Sequence, residues 1–179
     1  MKITNTELPG VLIVEPQVFG DNRGWFFESY SKIKLENQSL SCDFVQDNHA
    51  FSLHKNTLRG LHFQNPPKAQ AKLVRCSRGR ILDVAVDIRR DSPNFCKWVK
   101  IELSEDNKLQ LFIPKGFAHA YLTLTDNCEV QYKTDEYYSP EHEMNILWND
   151  PDIKVDWGDI DPILAEKDRN GEYVKNLKF

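Results

Sequence analysis

The sequence has no long apolar segment. The longest stretch without a charged side chain covers residues 116–125, which is far shorter than the roughly 20 apolar residues of a membrane-spanning helix. The first residues lead into no apolar region typical of a secretory signal. We therefore expect a cytoplasmic protein that has no membrane partner.

Clustered cysteines and clustered charges are also missing. Cys42, Cys76, Cys96 and Cys128 form no C-x-x-C pair, which argues against a zinc ribbon or a thioredoxin-like site and favours reduced thiols. The chain has 23 basic and 27 acidic residues, and no run of one sign exceeds a dipeptide. A nucleic-acid partner is therefore not expected.

Motifs of several common enzyme classes are absent. There is no G-x-G-x-x-G, no G-x-x-x-x-G-K-[ST] and no G-x-S-x-G, so nucleotide-fold, P-loop and hydrolase sites lack their motifs. The five histidines include no H-x-H pair and none three or four residues apart, so the close-spaced ligand pair of many metal sites is missing. We expect neither a metal nor another cofactor.

The sequence does contain short alternating runs bounded by Gly, Pro, Asn and Asp, which predict an all-β sandwich or barrel. The clearest run, residues 81–88, has one apolar face and one face that carries Asp83 and Asp87. Residues 77–80 are typical of a hairpin turn that joins residues 72–76 to this run. Further strands are predicted at residues 99–103, 110–113, 120–124 and 128–133.

Helix is sparse in the predicted architecture. A short helix is expected at residues 31–40 and a helical turn at residues 162–167. We predict a double-sheet jelly roll with a few short helices. Because the sequence contains no internal repeat or linker, we expect a single domain of residues 1–179.

Polar side chains interrupt the strand-like pattern of residues 57–64. In regular strand geometry His62 shares a face with Leu58, Gly60 and Gln64, whereas Arg59 points the other way. His62 is a candidate base, although a core histidine with a satisfied hydrogen bond fits the same pattern.

Tyr132 allows two similar interpretations, because a buried tyrosine hydroxyl needs a polar partner whether or not it reacts. Arg23, Arg59 and Lys72 likewise fit either a binding site or an ordinary surface. Spacing alone does not decide between these alternatives.

Several motifs, taken in order along almost the whole chain, resemble those of the dTDP-4-dehydrorhamnose 3,5-epimerases. The motifs are FGDNRG (19–24), FE (27–28), QDN (46–48), LRGLHFQ (58–64), Lys72, DVAVDIR (83–89), IPKGFAH (113–119), YK (132–133), WNDP (148–151) and KD (167–168). The resemblance implies a homodimeric, metal-free jelly roll of the cupin type.

The resemblance also implies catalytic roles. His62 is the general base paired with Asp168, Tyr132 donates a proton from the opposite side of the sugar, and Lys72 lies beside the ketone oxygen. The C4 ketone of dTDP-4-dehydro-6-deoxy-D-glucose acidifies C3 and C5 by delocalising charge into an enolate, so a base, a cation and an acid suit this chemistry. The implied product is dTDP-4-dehydro-L-rhamnose, for dTDP-L-rhamnose biosynthesis.

Further positions match the family's substrate contacts, and Tyr138 matches the ring that stacks on the base. The matching positions are Arg23, Glu28, Gln46, Asp47, Asn48, Arg59, His119, Tyr138, Glu143 and Lys167. If the family's dimer holds, Arg23 or Glu28 reaches the site of a neighbouring subunit.

Two positions depart from the family pattern. Ala120 follows His119 where glycine is common, and Ala165 stands where serine often precedes the Lys-Asp pair. An altered pocket leaves open a different nucleotide or inversion at one carbon only. A related mono-epimerase or 3,4-ketoisomerase is the alternative within this reaction class. A catalytically silent sugar-nucleotide-binding cupin and, more remotely, a metal-dependent cupin dioxygenase are the alternatives outside this reaction class.

Overall fold

The computed structural model describes residues 1–177 and is built mainly of short strands. In chain order the elements are β1 (Lys2–Asn5), β2 (Leu12–Glu15), β3 (Val18–Asp21), β4 (Gly24–Phe27), α1 (Lys32–Glu36), β5 (Gln46–Ser52), β6 (Leu58–Gln64), β7 (Lys72–Arg78), β8 (Arg80–Asp87), β9 (Trp98–Ser104), β10 (Gln110–Ile113), β11 (Phe117–Thr123), β12 (Cys128–Thr134), β13 (Glu143–Asn145) and α2 (Glu166–Arg169), followed by a 3-10 turn at Val174–Asn176. The predicted all-β fold with a few short helices is confirmed.

Two antiparallel sheets face each other in the jelly roll. The six-stranded sheet has the order β1-β2-β10-β7-β12-β5, and the five-stranded sheet has the order β13-β6-β11-β8-β9. Strands β3 and β4 form a separate two-stranded hairpin. None of the helices in residues 1–177 has the length and apolar character needed to cross a membrane.

The strand predicted at residues 81–88 has two buried faces. Val84, Val86 and Ile88 pack under the C-terminal segment in one apolar cluster, while Ala85 belongs to the core between the sheets. Asp83 lies on the same inner face and is fully buried. The predicted alternation is therefore confirmed, and its acidic face points into the molecule.

The predicted hairpin at residues 77–80 is wrong. Strand β7 pairs with β10 and β12, whereas β8 pairs with β9 and β11, so the turn carries the chain from one sheet to the other. Gly79 makes this crossing with φ at +76°, and a Cβ there would lie 2.5 Å from Thr125 Oγ1. Alternation of apolar and polar residues predicts a strand but not its partner. Strands of both sheets bury one face in this fold, so both kinds of strand show the same pattern.

Strand β6 departs from regular alternation. Its register with β11 pairs His62 with His119 but Arg59 with Tyr121, so β6 has one extra residue between these pairs. Such a β-bulge shifts the later side chains to the opposite face. Leu58 consequently shares the outer cluster with Leu61, and the prediction that Arg59 and His62 point to opposite faces is wrong.

Candidate active site

A cavity of about 290 Å³ opens between the two sheets. Strands β6 and β13 supply one wall, and strands β5, β7 and β12 supply the other. Lys167 of α2 also lines the cavity. The lining residues are Gln46, Asn48, His62, Phe63, Gln64, Gln70, Lys72, Tyr132, Tyr138, Glu143 and Lys167. Eight positions predicted from sequence thus meet in one place.

His62, which lines this cavity, forms a close pair with Asp168. Nε2 of His62 lies 2.6 Å from Oδ1 of Asp168, although 106 residues separate them along the chain. The side chain of Asp168 is 2% exposed and that of His62 is 22% exposed. A carboxylate accepts hydrogen bonds, so Nε2 of His62 is the donor in this pair.

Lys72 extends inward from β7 and is 8% exposed. Its Nζ lies 3.5 Å from the backbone oxygen of His62. Burial lowers the pKa of Lys72 to about 8, and the negative charges of Asp83 and Glu143 oppose this shift. Lys72 is therefore mainly protonated at neutral pH, and its pKa lies only about one unit higher.

Tyr132 lies across the cavity from His62. It comes from β12, where it is paired with Val74 of the neighbouring strand β7. Its hydroxyl forms no hydrogen bond with any group in the described part of the chain. Burial raises the pKa of the phenol, while Lys167 and Arg59 oppose the rise, so the group holds a proton that it can donate.

His119 lies beneath the cavity floor. Its Cα pairs with that of His62 in the register of β11 and β6, and its Nε2 lies 2.7 Å from Oδ1 of Asp83. Burial lowers the pKa of His119, and the nearby Asp83 carboxylate opposes this effect. A neutral imidazole follows, since the lowered value lies below neutral pH.

A hydrogen-bonded group surrounds the cavity mouth. Glu143 accepts from the Tyr138 hydroxyl at 3.0 Å and from Lys167 Nζ at 3.0 Å. Burial acts to raise the pKa of Glu143, but the hydrogen bonds from Lys167 and Tyr138 hold it below its usual value. Gln46 accepts from the backbone of Tyr138 at 3.2 Å and donates to Asn48 at 2.9 Å.

A family model described as dTDP-4-dehydrorhamnose 3,5-epimerase matches residues 5–176 of the chain. The chain belongs to the dTDP-4-dehydrorhamnose 3,5-epimerase family. Its predicted resemblance to these isomerases is confirmed.

Similar proteins agree with this assignment. The dTDP-4-dehydrorhamnose 3,5-epimerase of Escherichia coli (strain K12) is 54% identical over 170 residues, which cover 94% of this chain and 91% of the relative. A crystal structure of a dTDP-6-deoxy-D-glucose-3,5-epimerase from Legionella pneumophila, in complex with dTDP-4-keto-L-rhamnose, is 40% identical with a TM-score of 0.94 and coverage of 99% and 94%. A 3'-monoepimerase from Streptomyces bikiniensis, in complex with dTDP-quinovose, is 31% identical with a TM-score of 0.88 and coverage of 95% and 86%.

Five of the predicted substrate contacts lie outside the cavity lining in this epimerase. Arg59 faces the opposite sheet, where its guanidinium donates to the Phe51 carbonyl at 3.0 Å, and His119 lies beneath the floor. Arg23 is on the exposed β3–β4 hairpin and pairs with Asp21 at 2.5 Å. Glu28 follows this hairpin and pairs with Lys34.

Asp47 also lies outside the cavity. It is on the outward face of β5, where its Oδ1 accepts from Lys133 Nζ at 2.7 Å. Asp47 instead lines a second cavity, of about 350 Å³, on the outside of the six-stranded sheet, together with Ser29, His49, Arg75 and others. This outer cavity shares Asn48 and Tyr132 with the first cavity but contains neither His62 nor Lys72.

The roles predicted from sequence left out two glutamines that line the epimerase cavity. Gln64 donates to the Lys68 carbonyl at 2.6 Å and accepts from the backbone of Ser139 at 2.8 Å. Gln70 donates to the Glu136 carbonyl at 2.8 Å. The signal for Gln64 was its position two residues after His62 in a strand, which places both side chains on one face.

Proposed function

We propose that this epimerase inverts C3 and C5 of dTDP-4-dehydro-6-deoxy-D-glucose and produces dTDP-4-dehydro-L-rhamnose. One observation carries the proposal: the His62–Asp168 pair and the unbonded Tyr132 hydroxyl face one cavity from opposite sheets. Inversion requires removal of a proton from one side of a carbon and return of a proton to the other. Groups on opposing walls suit that requirement.

In this proposal His62 removes the proton, first at one carbon and then at the other. Nδ1 acts as the base, because Nε2 is committed to Asp168 at 2.6 Å. The buried carboxylate stabilises the imidazolium that each proton transfer creates. The electron pair of the broken C–H bond moves into the ketone to form an enolate.

Lys72 stabilises the negative charge that develops on the C4 oxygen. Its Nζ is buried beside His62, and burial strengthens the attraction between an ammonium and an oxyanion because little water screens it. A cation that already faces the oxygen also requires little reorganisation during the reaction.

Tyr132 completes each inversion by protonating the carbon from the face opposite His62. The phenolate that results lies near Lys72, whose Nζ is 6.0 Å from the centre of the tyrosine ring. The nearby Lys167 and Arg59 also favour the phenolate. Solvent then returns a proton to Tyr132 and takes one from His62, so no net proton is consumed.

The cavity mouth suits the nucleotide. Tyr138 is 53% exposed and is free to stack on the thymine ring, while Lys167 attracts the diphosphate. Gln46, Asn48 and Glu143 supply polar contacts to the sugar. Binding energy from the nucleotide then holds the reacting carbons in register.

Arg23 and Glu28 complete this site in a homodimer. Their hairpin projects from the sheets with Phe19 53%, Trp25 60% and Phe26 65% exposed, and such apolar surface favours a partner. Dilution below the dimer dissociation constant should lower specific activity, whereas unchanged activity in a monomer would exclude this arrangement.

The proposed reaction uses no metal or other cofactor. Within residues 1–177 no three His, Cys, Asp or Glu side chains come together as a potential metal site. The proposed location is the cytoplasm, since Cys42, Cys76, Cys96 and Cys128 are all free. Residues 1–179 would form the single domain that carries the activity.

The direct test is incubation with dTDP-4-keto-6-deoxyglucose in deuterated water, followed by mass spectrometry and ring-proton NMR. Deuterium at both C3 and C5, with the inverted product trapped by a reductase, is expected. No incorporation above a control without enzyme would contradict the proposal and leave a silent binding protein.

A mono-epimerase is the second candidate, because the similar Streptomyces bikiniensis structure is a 3'-monoepimerase. Deuterium at a single carbon would favour this alternative. A 3,4-ketoisomerase would instead move the carbonyl, which carbon NMR distinguishes.

A further inference from the structure

The helix that carries Asp168 is too short to hold its own position. Helix α2 has four residues, and its N-cap residue Ala165 makes no side-chain capping bond. Isolated helices this short are unstable in water. In residues 1–177 the Asp168 carboxylate has no hydrogen-bond partner other than His62. The direction in which Asp168 points must therefore be fixed through the backbone of α2.

Asn145 connects that backbone to the strand of the base. It lies on β13, where its Cα pairs with that of His62 on β6. Its Nδ2 donates a hydrogen bond to the backbone carbonyl of Lys167, the residue before Asp168. A single side chain therefore links the strand of His62 to the helix of its partner.

The same residue holds the chain on the far side of α2. The backbone carbonyl of Asn145 accepts from the amide of Glu172 at 2.9 Å, and the Glu172 carbonyl accepts from Leu147 at 2.9 Å. Gly171 permits this approach, because a Cβ there would lie 2.7 Å from the backbone nitrogen of Leu147. Helix α2 is thus attached to β13 before and after Asp168.

We propose that Asn145 is a positioning residue, whose amide holds the Lys167 carbonyl so that Asp168 meets His62 in the geometry needed for proton transfer. This inference rests on the proposed epimerisation. Asn145 does not itself line the cavity, so it acts through the pair. The Lys167 side chain has its own partner in Glu143 at 3.0 Å, so nucleotide contacts do not depend on the Asn145 amide.

The variants are Asn145→Ala and Asn145→Leu, and Leu retains much of the shape without a donor. The Oδ1 atom of Asn145 is buried and has no hydrogen-bond partner in residues 1–177. Replacing Asn145 with an apolar residue therefore takes no acceptor away from any donor in these residues, and the Nδ2 bond to the Lys167 carbonyl is the one side-chain hydrogen bond among them that is lost. Glu172→Ala is the matched control, because its exposed side chain is removed while its backbone bonds to the strand remain.

We expect kcat for deuterium incorporation to fall about tenfold to a hundredfold in both variants, as when a catalytic group is misplaced by about 1 Å. KM should change less than about threefold, since binding contacts are retained. Glu172→Ala should match the wild type. Circular dichroism and thermal unfolding will establish that each variant folds.

A double-mutant cycle with Asp168→Asn separates positioning from a general structural effect. Because Asn145 is proposed to act through Asp168, Asn145→Ala should cost little further activity in the Asp168→Asn background. An equal fold-loss in both backgrounds, wild-type activity in both Asn145 variants, or loss of the fold in both would overturn the inference. Absence of incorporation by the wild type would instead refute the proposed function itself.

Discussion

Lys72 and Tyr132 lie on adjacent strands of one sheet, with the lysine Nζ 6.0 Å from the centre of the tyrosine ring. Both side chains are largely buried, and burial acts on them in opposite directions. It lowers the pKa of the ammonium to about 8 and raises the pKa of the phenol. The cation is therefore close to losing its proton, while the phenol holds its proton firmly.

The first prediction concerns pH. Below pH 8 Lys72 is charged and stabilises the enolate, and as pH rises through about 8 the charge is lost. We expect kcat/KM to decline over this range, because kcat/KM reports ionisation in the free enzyme. In Lys72→Arg, which stays charged, the residual activity should lack this decline. A wild-type profile that is flat from pH 7 to about 9.5 would contradict the assignment of Lys72.

The second prediction is that Lys72→Met stabilises the fold. The pKa of Lys72 is about 8 in the folded protein, below its ordinary value of 10.5. Between these two values the unfolded wild type binds more protons than the folded protein, and below pH 8 the folded protein bears the full cost of the buried charge. At pH 7 the variant should be more stable by roughly 1–3 kcal/mol, and the advantage should shrink as pH approaches about 10. Urea unfolding at the two pH values measures this difference.

The third prediction concerns the base. His62→Ala should abolish epimerisation, and Asp168→Asn should lower kcat by a factor of about 10² to 10⁴, because the tautomer and the stabilisation of the imidazolium are both lost. The deuterium assay measures both effects. Folded His62→Ala with full activity would remove His62 from the mechanism.

The fourth prediction separates the two proton transfers. Tyr132→Phe keeps the ring and removes the donor, so net inversion should fall by about 10² or more. Exchange of the C3 or C5 proton with deuterated solvent on the His62 side should decline less. If Tyr132 served packing alone, inversion and exchange would decline together, along with the thermal stability.

The fifth prediction tests the bulged strand. Gly60 has φ at +129°, and a Cβ there would lie 2.4 Å from Cβ of Ala120. Gly60→Ala should destabilise the protein by about 3 kcal/mol or more, through backbone strain and overlap together. Gly158→Ala is the control, because Gly158 has φ at +78° but open space around its Cβ position. Equal shifts in thermal unfolding would refute the proposed overlap.

Local patterns predicted much of the strand content but not how the strands assemble. The strand predicted at residues 110–113 matches β10, and β11 begins three residues before the prediction at Phe117. Alternating burial marks such strands because neighbouring side chains face different surroundings. Alternating burial carries no information on which sheet a strand joins, and the hairpin predicted at residues 77–80 is wrong for this reason.

The candidate site was predictable only in part. Position within a strand accounts for Gln64 beside His62, but the bond between His62 and Asp168 spans 106 residues and no local pattern predicts it. The resemblance to a family supplied that pair. Asn145 lay outside every motif, because its role depends on how β13 meets α2 in space.

The extra residue in β6 makes the length of this strand critical. Deleting one residue between Arg59 and His62 would restore regular pairing with β11, but it would also rotate one of the two side chains away from the inner face. Single-codon deletions in this strand are therefore not tolerated. In a deletion scan of the gene, residues 59–62 should stand out as a segment in which no shortened product retains activity.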